Sequence, residues 1–174
     1  DFEYSYNYKY EVTAVYGERE SLTSNSVIEI IPDPAIDLSN QTIVFDERTQ
    51  NGYSAGAFGS STAGISDENF VMGEMSYKIS FATGATTVNG ASFKKPGVDM
   101  TSLRENGGML SFYVYGASKD VIDGVKVGFE CTASSKTVRT SVDLDDYIGG
   151  RYGKWVFVQI PMSDFAAKGT YTGT

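Results

Sequence analysis

The sequence predicts an all-β protein of antiparallel strands packed as a sandwich. Three observations carry that expectation. Apolar and polar residues alternate at period two in separate runs, as at 109–115, 125–131 and 155–160. Gly-rich turns break the runs, among them Asn106-Gly107-Gly108 and Gly149-Gly150. Gly (19 residues), Tyr (12) and Phe (10) are frequent, and no long helical period is present.

Taken in order, the chain opens with a tyrosine alternation. Tyr4, Tyr6, Tyr8, Tyr10, Val12 and Ala14 fall on one side of a strand, with Ser5, Asn7, Lys9, Glu11 and Thr13 on the other. The turn region Tyr16-Gly17-Glu18-Arg19-Glu20-Ser21 follows, then a second run, Val27-Ile28-Glu29-Ile30-Ile31. Two such runs predict a hairpin over 1–31. Pro32-Asp33-Pro34 removes two backbone donors and stops the strand, which places a domain boundary at 32–34. So short a connector restricts the angle between the units it joins. Residues 35–174 predict one β domain, with strands at 42–46, 74–82, 91–94, 109–115, 125–131, 136–142 and 155–160. The Gly-, Ser- and Ala-rich stretch 51–66 predicts a long loop, and 101–105 a helical turn.

Composition narrows the function classes. A chain of 174 residues suits one or two domains. With a net charge of −8 and 14 basic residues in no run, nucleic acid and acidic membrane surfaces are poor partners. No stretch of about 18 apolar residues predicts a membrane span. The absence of His excludes Ser-His-Asp and Cys-His devices and His-ligated zinc. Cys131 is the single cysteine, so no intrachain disulfide forms. It continues the series Val125, Val127, Phe129 and is expected to be a small buried hydrophobe.

The run Gly153-Lys154-Trp155-Val156-x-Val158-x-Ile160-Pro161-Met162-Ser163-Asp164-Phe165 resembles the late strand of galactose-binding-like β-jelly-rolls, the fold of many non-catalytic carbohydrate-binding modules. Gly73-x-x-Ser76-Tyr77-Lys78-Ile79 and Val142-Asp143-Leu144 extend that resemblance. Tyr8-x-Tyr10-x-Val12-Thr13-Ala14-Val15, with Glu20-Ser21 and Ser24-Asn25-Ser26-Val27, resembles the last two strands of a fibronectin type III domain, Tyr8 taking the place of its corner tyrosine. The resemblances imply a partial fibronectin-III-like unit over 1–31 and a jelly-roll module over 35–174 that lacks its last strand. The other reading makes 1–31 the first hairpin of one larger β domain. The family resemblance further implies non-catalytic binding of a polysaccharide, a β-glucan or related plant or microbial glycan. Such a module is an accessory of a secreted bacterial glycoside hydrolase, tethered to its catalytic domain outside the cell. The alternative is a structural spacer or adhesin segment of a bacterial cell-surface protein.

Binding a neutral sugar needs a flat ring against its C–H face and polar groups for its hydroxyls. Alternation turns Leu110, Phe112 and Val114 inward and Ser111, Tyr113 and Tyr115 outward. It likewise exposes Lys126, Gly128, Glu130 and Gln159, while the resemblance makes Trp155 core. The expected platform is Tyr113 and Tyr115, bordered by Ser111, Lys126, Glu130 and Gln159. Tyr53 in the 51–66 loop offers a second position. The plainer alternatives are ordinary half-exposed strand tyrosines, and Tyr53 and Phe58 folded back onto the core edge. The resemblance also implies one structural calcium ion near the first strand, where Asp46 and Glu47 offer hard oxygen ligands; both also suit a plain solvated turn. Asp67-Glu68-Asn69 is a second oxygen-rich cluster, and Asp143, Asp145 and Asp146 read as turn carboxylates. No motif supports a glycosidase carboxylate pair, and Tyr113 with Lys126 is the one conceivable lyase pair, so catalysis is not expected.

Overall fold

Alternation at period two becomes antiparallel pairing in every strand pair among the described residues of the computed structural model. The structure describes residues 7–10, 15–16, 19–21, 27–30, 41–71, 73–82, 84, 88–133, 136–167 and 172–173. Its helices are single turns of at most 6 residues, so the fold is all-β. No helix among the described residues is long and apolar enough to cross a membrane. The chain divides into two compact units, Asp1–Gly97 and Val98–Thr174.

The first unit opens with β1 (Asn7–Tyr10), β2 (Val15–Tyr16), β3 (Arg19–Glu20) and β4 (Val27–Ile30). β1 pairs with β4 and β2 with β3, as the predicted hairpin requires. The boundary at 32–34 and the side chain of Tyr8 lie outside the described residues. Next come β5 (Phe45–Asp46) and β6 (Arg48–Thr49), paired around Glu47 at φ 57°. β7 (Ser54–Phe58), β8 (Thr62–Ser66), β9 (Ser76–Ser80) and β10 (Gly90–Lys94) complete the unit. β7 pairs with β10 and β8 with β9. Residues 51–66 are therefore two strands, not the expected long loop. Their small residues read as a loop, but cross-strand partners at 76–80 and 90–94 supply the bulk that they lack. Phe58 lies opposite Gly90, with its ring where a Cβ on Gly90 would come within 3.0 Å. The buried Ser61 hydroxyl ties the turn down, donating to Gly90 O and accepting from Gly90 N. Gly59 has φ +66°, and a Cβ there would sit 2.6 Å from Val88 O, so glycine is required. Phe45, Tyr77 and Phe93 cluster with ring centroids 5.1–5.9 Å apart.

The second unit holds α1 (Thr101–Glu105), β11 (Met109–Tyr115), α2 (Lys119–Ile122), β12 (Lys126–Ala133), β13 (Lys136–Asp143), α3 (Asp145–Ile148), β14 (Trp155–Pro161), α4 (Met162–Ala167) and β15 (Thr172–Gly173). Its pairing is nested: β11 joins β14 and β12 joins β13, with β15 on the far side of β13. A long hairpin folded over once gives this pattern, and β7 to β10 repeat it. Both sheets turn their apolar alternates into one core. Val156, Val158 and Ile160 of β14 are at most 2% exposed. Val142, Leu144, Ile148, Met162, Phe165 and Ile122 are buried with them, and Leu110, Phe112, Val114, Val125, Val127 and Phe129 pack against the cluster. Each fully buried side chain of this size stabilises by about 1.5–3 kcal/mol. Gly116 makes room for the core at one corner, where a Cβ would come within 2.3 Å of Ile122 Cγ1.

Cys131 departs from the expectation of burial. It is exposed, opposite Val138, itself 45% exposed. Alternation placed it in line with Val125, Val127 and Phe129, but those three pack against the buried cluster whereas Cys131 and Val138 do not belong to it.

Candidate functional site

The register of β11 against β14 fixes the geometry of the expected platform. Ser111 lies opposite Gln159, Tyr113 opposite Phe157 and Tyr115 opposite Trp155. Cross-strand partners share a face, and the intervening pairs Leu110–Ile160, Phe112–Val158 and Val114–Val156 fill the core. The face turned from the core therefore carries two aromatic rows, one polar row and, at its end, the Met109–Pro161 pair. Tyr115 and Trp155 have ring centroids 5.7 Å apart at 52°, and Tyr113 and Phe157 4.9 Å apart at 46°. Successive rows are about 6.6–6.8 Å apart along the strands. Tyr115 and Gln159 are exposed, while Ser111, Tyr113, Trp155 and Phe157 are half-buried. The Tyr113 hydroxyl oxygen is buried and has no hydrogen-bond partner among the described residues. Neither seven-residue strand contains a charged side chain.

Two residues of this face differ from the sequence expectation. Trp155 belongs to the aromatic rows and not to the buried core. Its parity with Gln159, which alternation had exposed, was the available signal. Phe157 was not singled out, and the same parity could have found it.

The structure places Lys126 and Glu130 apart from this face, on β12 in a separate sheet. Both turn away from the core and form cross-strand ion pairs, Lys126 Nζ to Asp143 Oδ1 at 2.7 Å and Arg139 Nε to Glu130 Oε2 at 2.6 Å. Tyr53 belongs to the first unit and is half-buried, with Lys95 Nζ 5.5 Å from its ring centroid. It precedes a shallow groove of about 200 Å³ lined by Ser54, Ala55, Gly56, Ala57, Ser92 and Lys94.

Asp46 is exposed on β5, and Glu47 sits at the turn that follows. The Glu47 carboxylate accepts a hydrogen bond from the Glu74 amide and fills the space above Gly73, where no Cβ would fit. No three carboxylate or thiol groups among the described residues converge as a metal site. Calcium takes about six to eight oxygens, so Asp46 and Glu47 do not make its site by themselves.

Asp164, Asp145 and Asp99 are engaged by neighbours. The Tyr147 hydroxyl donates to Asp164 Oδ2 at 2.7 Å, and Tyr152 donates to Asp145 Oδ1 at 2.5 Å. Burial first, then the bond to Asp164 and the charges of Asp164 and Asp146, push Tyr147 up to about 12. Its bond to Asp145 likewise raises Tyr152. Hydrogen bonds from Thr101 at the start of α1 hold Asp99 below the usual carboxylate range. Tyr147 is thereby moved away from the range in which a general base acts at neutral pH.

Comparison with family models, with curated proteins and with solved structures finds no match for this chain. The function must be read from the chemistry of the faces themselves. Rings beside a hydroxyl and a primary amide can stack against C–H surfaces and exchange hydrogen bonds with hydroxyl groups.

Proposed function

We propose that this chain binds a polysaccharide without catalysis, using the face formed by Ser111, Tyr113, Tyr115, Trp155, Phe157 and Gln159. The observation that carries the reading is the register of β11 and β14, which sets two aromatic rows beside a Ser–Gln row on one side of a sheet. The nested strand pairing supports a jelly-roll arrangement, because folded-over hairpins are how Greek-key sandwiches are wound. The resemblance of the Trp155 strand to carbohydrate-binding modules points the same way. On this reading the chain is an accessory segment of a secreted bacterial glycoside hydrolase, raising the local concentration of a tethered catalytic domain on its glycan.

Native affinity electrophoresis against soluble β-glucans, xylan and mannan tests it, with a chelator arm for calcium. Retardation is expected. Tyr115→Ala should weaken it by ~1–3 kcal/mol, by analogy with base–aromatic stacking, while leaving the fold intact. A second reading, a spacer or adhesin segment, is favoured by the half-burial of Tyr113, Trp155 and Phe157 and by the enclosed Tyr113 hydroxyl. Absence of retardation on every glycan selects that reading.

A further inference from the structure

The charge pattern of the second unit narrows the ligand class. β11 and β14 together contain no ionisable carboxylate, ammonium or guanidinium group, so the face between Met109–Tyr115 and Trp155–Pro161 is uncharged over its whole length. The one cation expected to border it, Lys126, is paired with Asp143, and the expected Glu130 with Arg139. Lys154, which precedes β14, is itself engaged. The chain as a whole carries a net charge of −8.

From these observations, and resting on the glycan-binding reading, we infer that the face accepts uncharged glycan chains and rejects uronate-containing ones. A carboxylate brought against the rings loses its hydration and meets the negative faces of four aromatic side chains, with no cation on either strand to compensate. The overall negative charge adds a long-range repulsion to any polyanion. A neutral sugar suffers neither penalty. Its C–H face lies on the Tyr115–Trp155 and Tyr113–Phe157 rows, and its hydroxyls meet the Gln159 amide and the Ser111 hydroxyl. The missing cation is therefore the specificity element, and exposed Gln159 is the position at which one can be installed.

The test compares the unaltered chain and Gln159→Lys on neutral glycans (β-glucan, xylan, mannan) and on polygalacturonate, at low salt and at about 0.5 M salt, where the Debye length falls to roughly 4–5 Å. The unaltered chain is expected to bind one of the neutral glycans at least tenfold more tightly than polygalacturonate, with little salt dependence. Gln159→Lys is expected to gain several-fold in polygalacturonate affinity at low salt and to lose the gain at high salt. Polygalacturonate binding as tight as the best neutral glycan overturns the inference and leaves the glycan-binding reading standing. No gain in Gln159→Lys overturns the role given to the missing cation. No binding to any glycan overturns the reading and the inference together.

Discussion

Phe165→Ala probes the core on which the aromatic face is mounted. Phe165 is 2% exposed, and its ring meets Phe129 edge-on at 4.7 Å, bridging α4 to β12. Its carbonyl accepts the Thr140 hydroxyl at 2.5 Å, which ties the same turn to β13. Truncation to Ala returns roughly 120 Å² of apolar surface, worth ~3 kcal/mol at about 25 cal/mol per Å². Loss of the edge-on ring pair adds ~1 kcal/mol. The sum, ~4 kcal/mol, falls within the range of about 3–5 kcal/mol for buried Phe→Ala changes. Urea unfolding followed by Trp155 fluorescence reads the second unit. With a slope of about 2 kcal/mol/M, the midpoint should fall by ~2 M at unchanged slope. A shift below about 0.5 M would show that Phe165 is not held between α4 and the β12–β13 sheet. Phe157→Ala, on the half-buried outer face, should cost less than half as much.

Three further outcomes follow from particular contacts. Tyr147 is raised from 10.0 to about 12 in the fold, so its contribution is complete below pH 10 and is lost as pH rises through about 12. Denaturation at both ends of that window should show the decline, and Tyr147→Phe should flatten it; an unchanged slope contradicts the Tyr147–Asp164 bond. Exposed Cys131 should react with a thiol reagent in the native state as fast as a free thiol, whereas protection until unfolding contradicts its placement. Lys126→Met and Glu130→Gln break exposed ion pairs, so each should change stability by less than about 1 kcal/mol and leave glycan affinity unchanged. Loss of affinity in either variant would place these residues in the binding site after all.

Strand positions were most legible where alternation is strong. Residues 109–115, 136–142 and 155–160 show clear period two, and the observed strands match within a residue. Residues 54–58 and 62–66 were missed because Ser, Ala and Gly carry no apolar period of their own. Their strand character comes from partners 32–40 and 10–18 residues away, respectively. Facing directions were legible on β11, where Leu110, Phe112 and Val114 pack on the core as expected. They were misjudged at Trp155, where the family resemblance outweighed the local parity with Gln159. Which sheet a strand joins is not written in its alternation. Lys126 and Glu130 were therefore assigned to the correct side of β12 but to the wrong neighbours, because cross-strand Asp143 and Arg139 take their charges.

The central claim is that a glycan seats on the face of β11 and β14, and Trp155, the chain's single tryptophan, lies on that face. Titration of its intrinsic fluorescence with soluble oligosaccharides therefore reads occupancy directly. The account predicts a saturable change in Trp155 emission with a neutral oligosaccharide, weakened in Tyr115→Ala. A glycan that binds by electrophoresis yet leaves Trp155 emission unchanged, or binds Tyr115→Ala equally well, would contradict it.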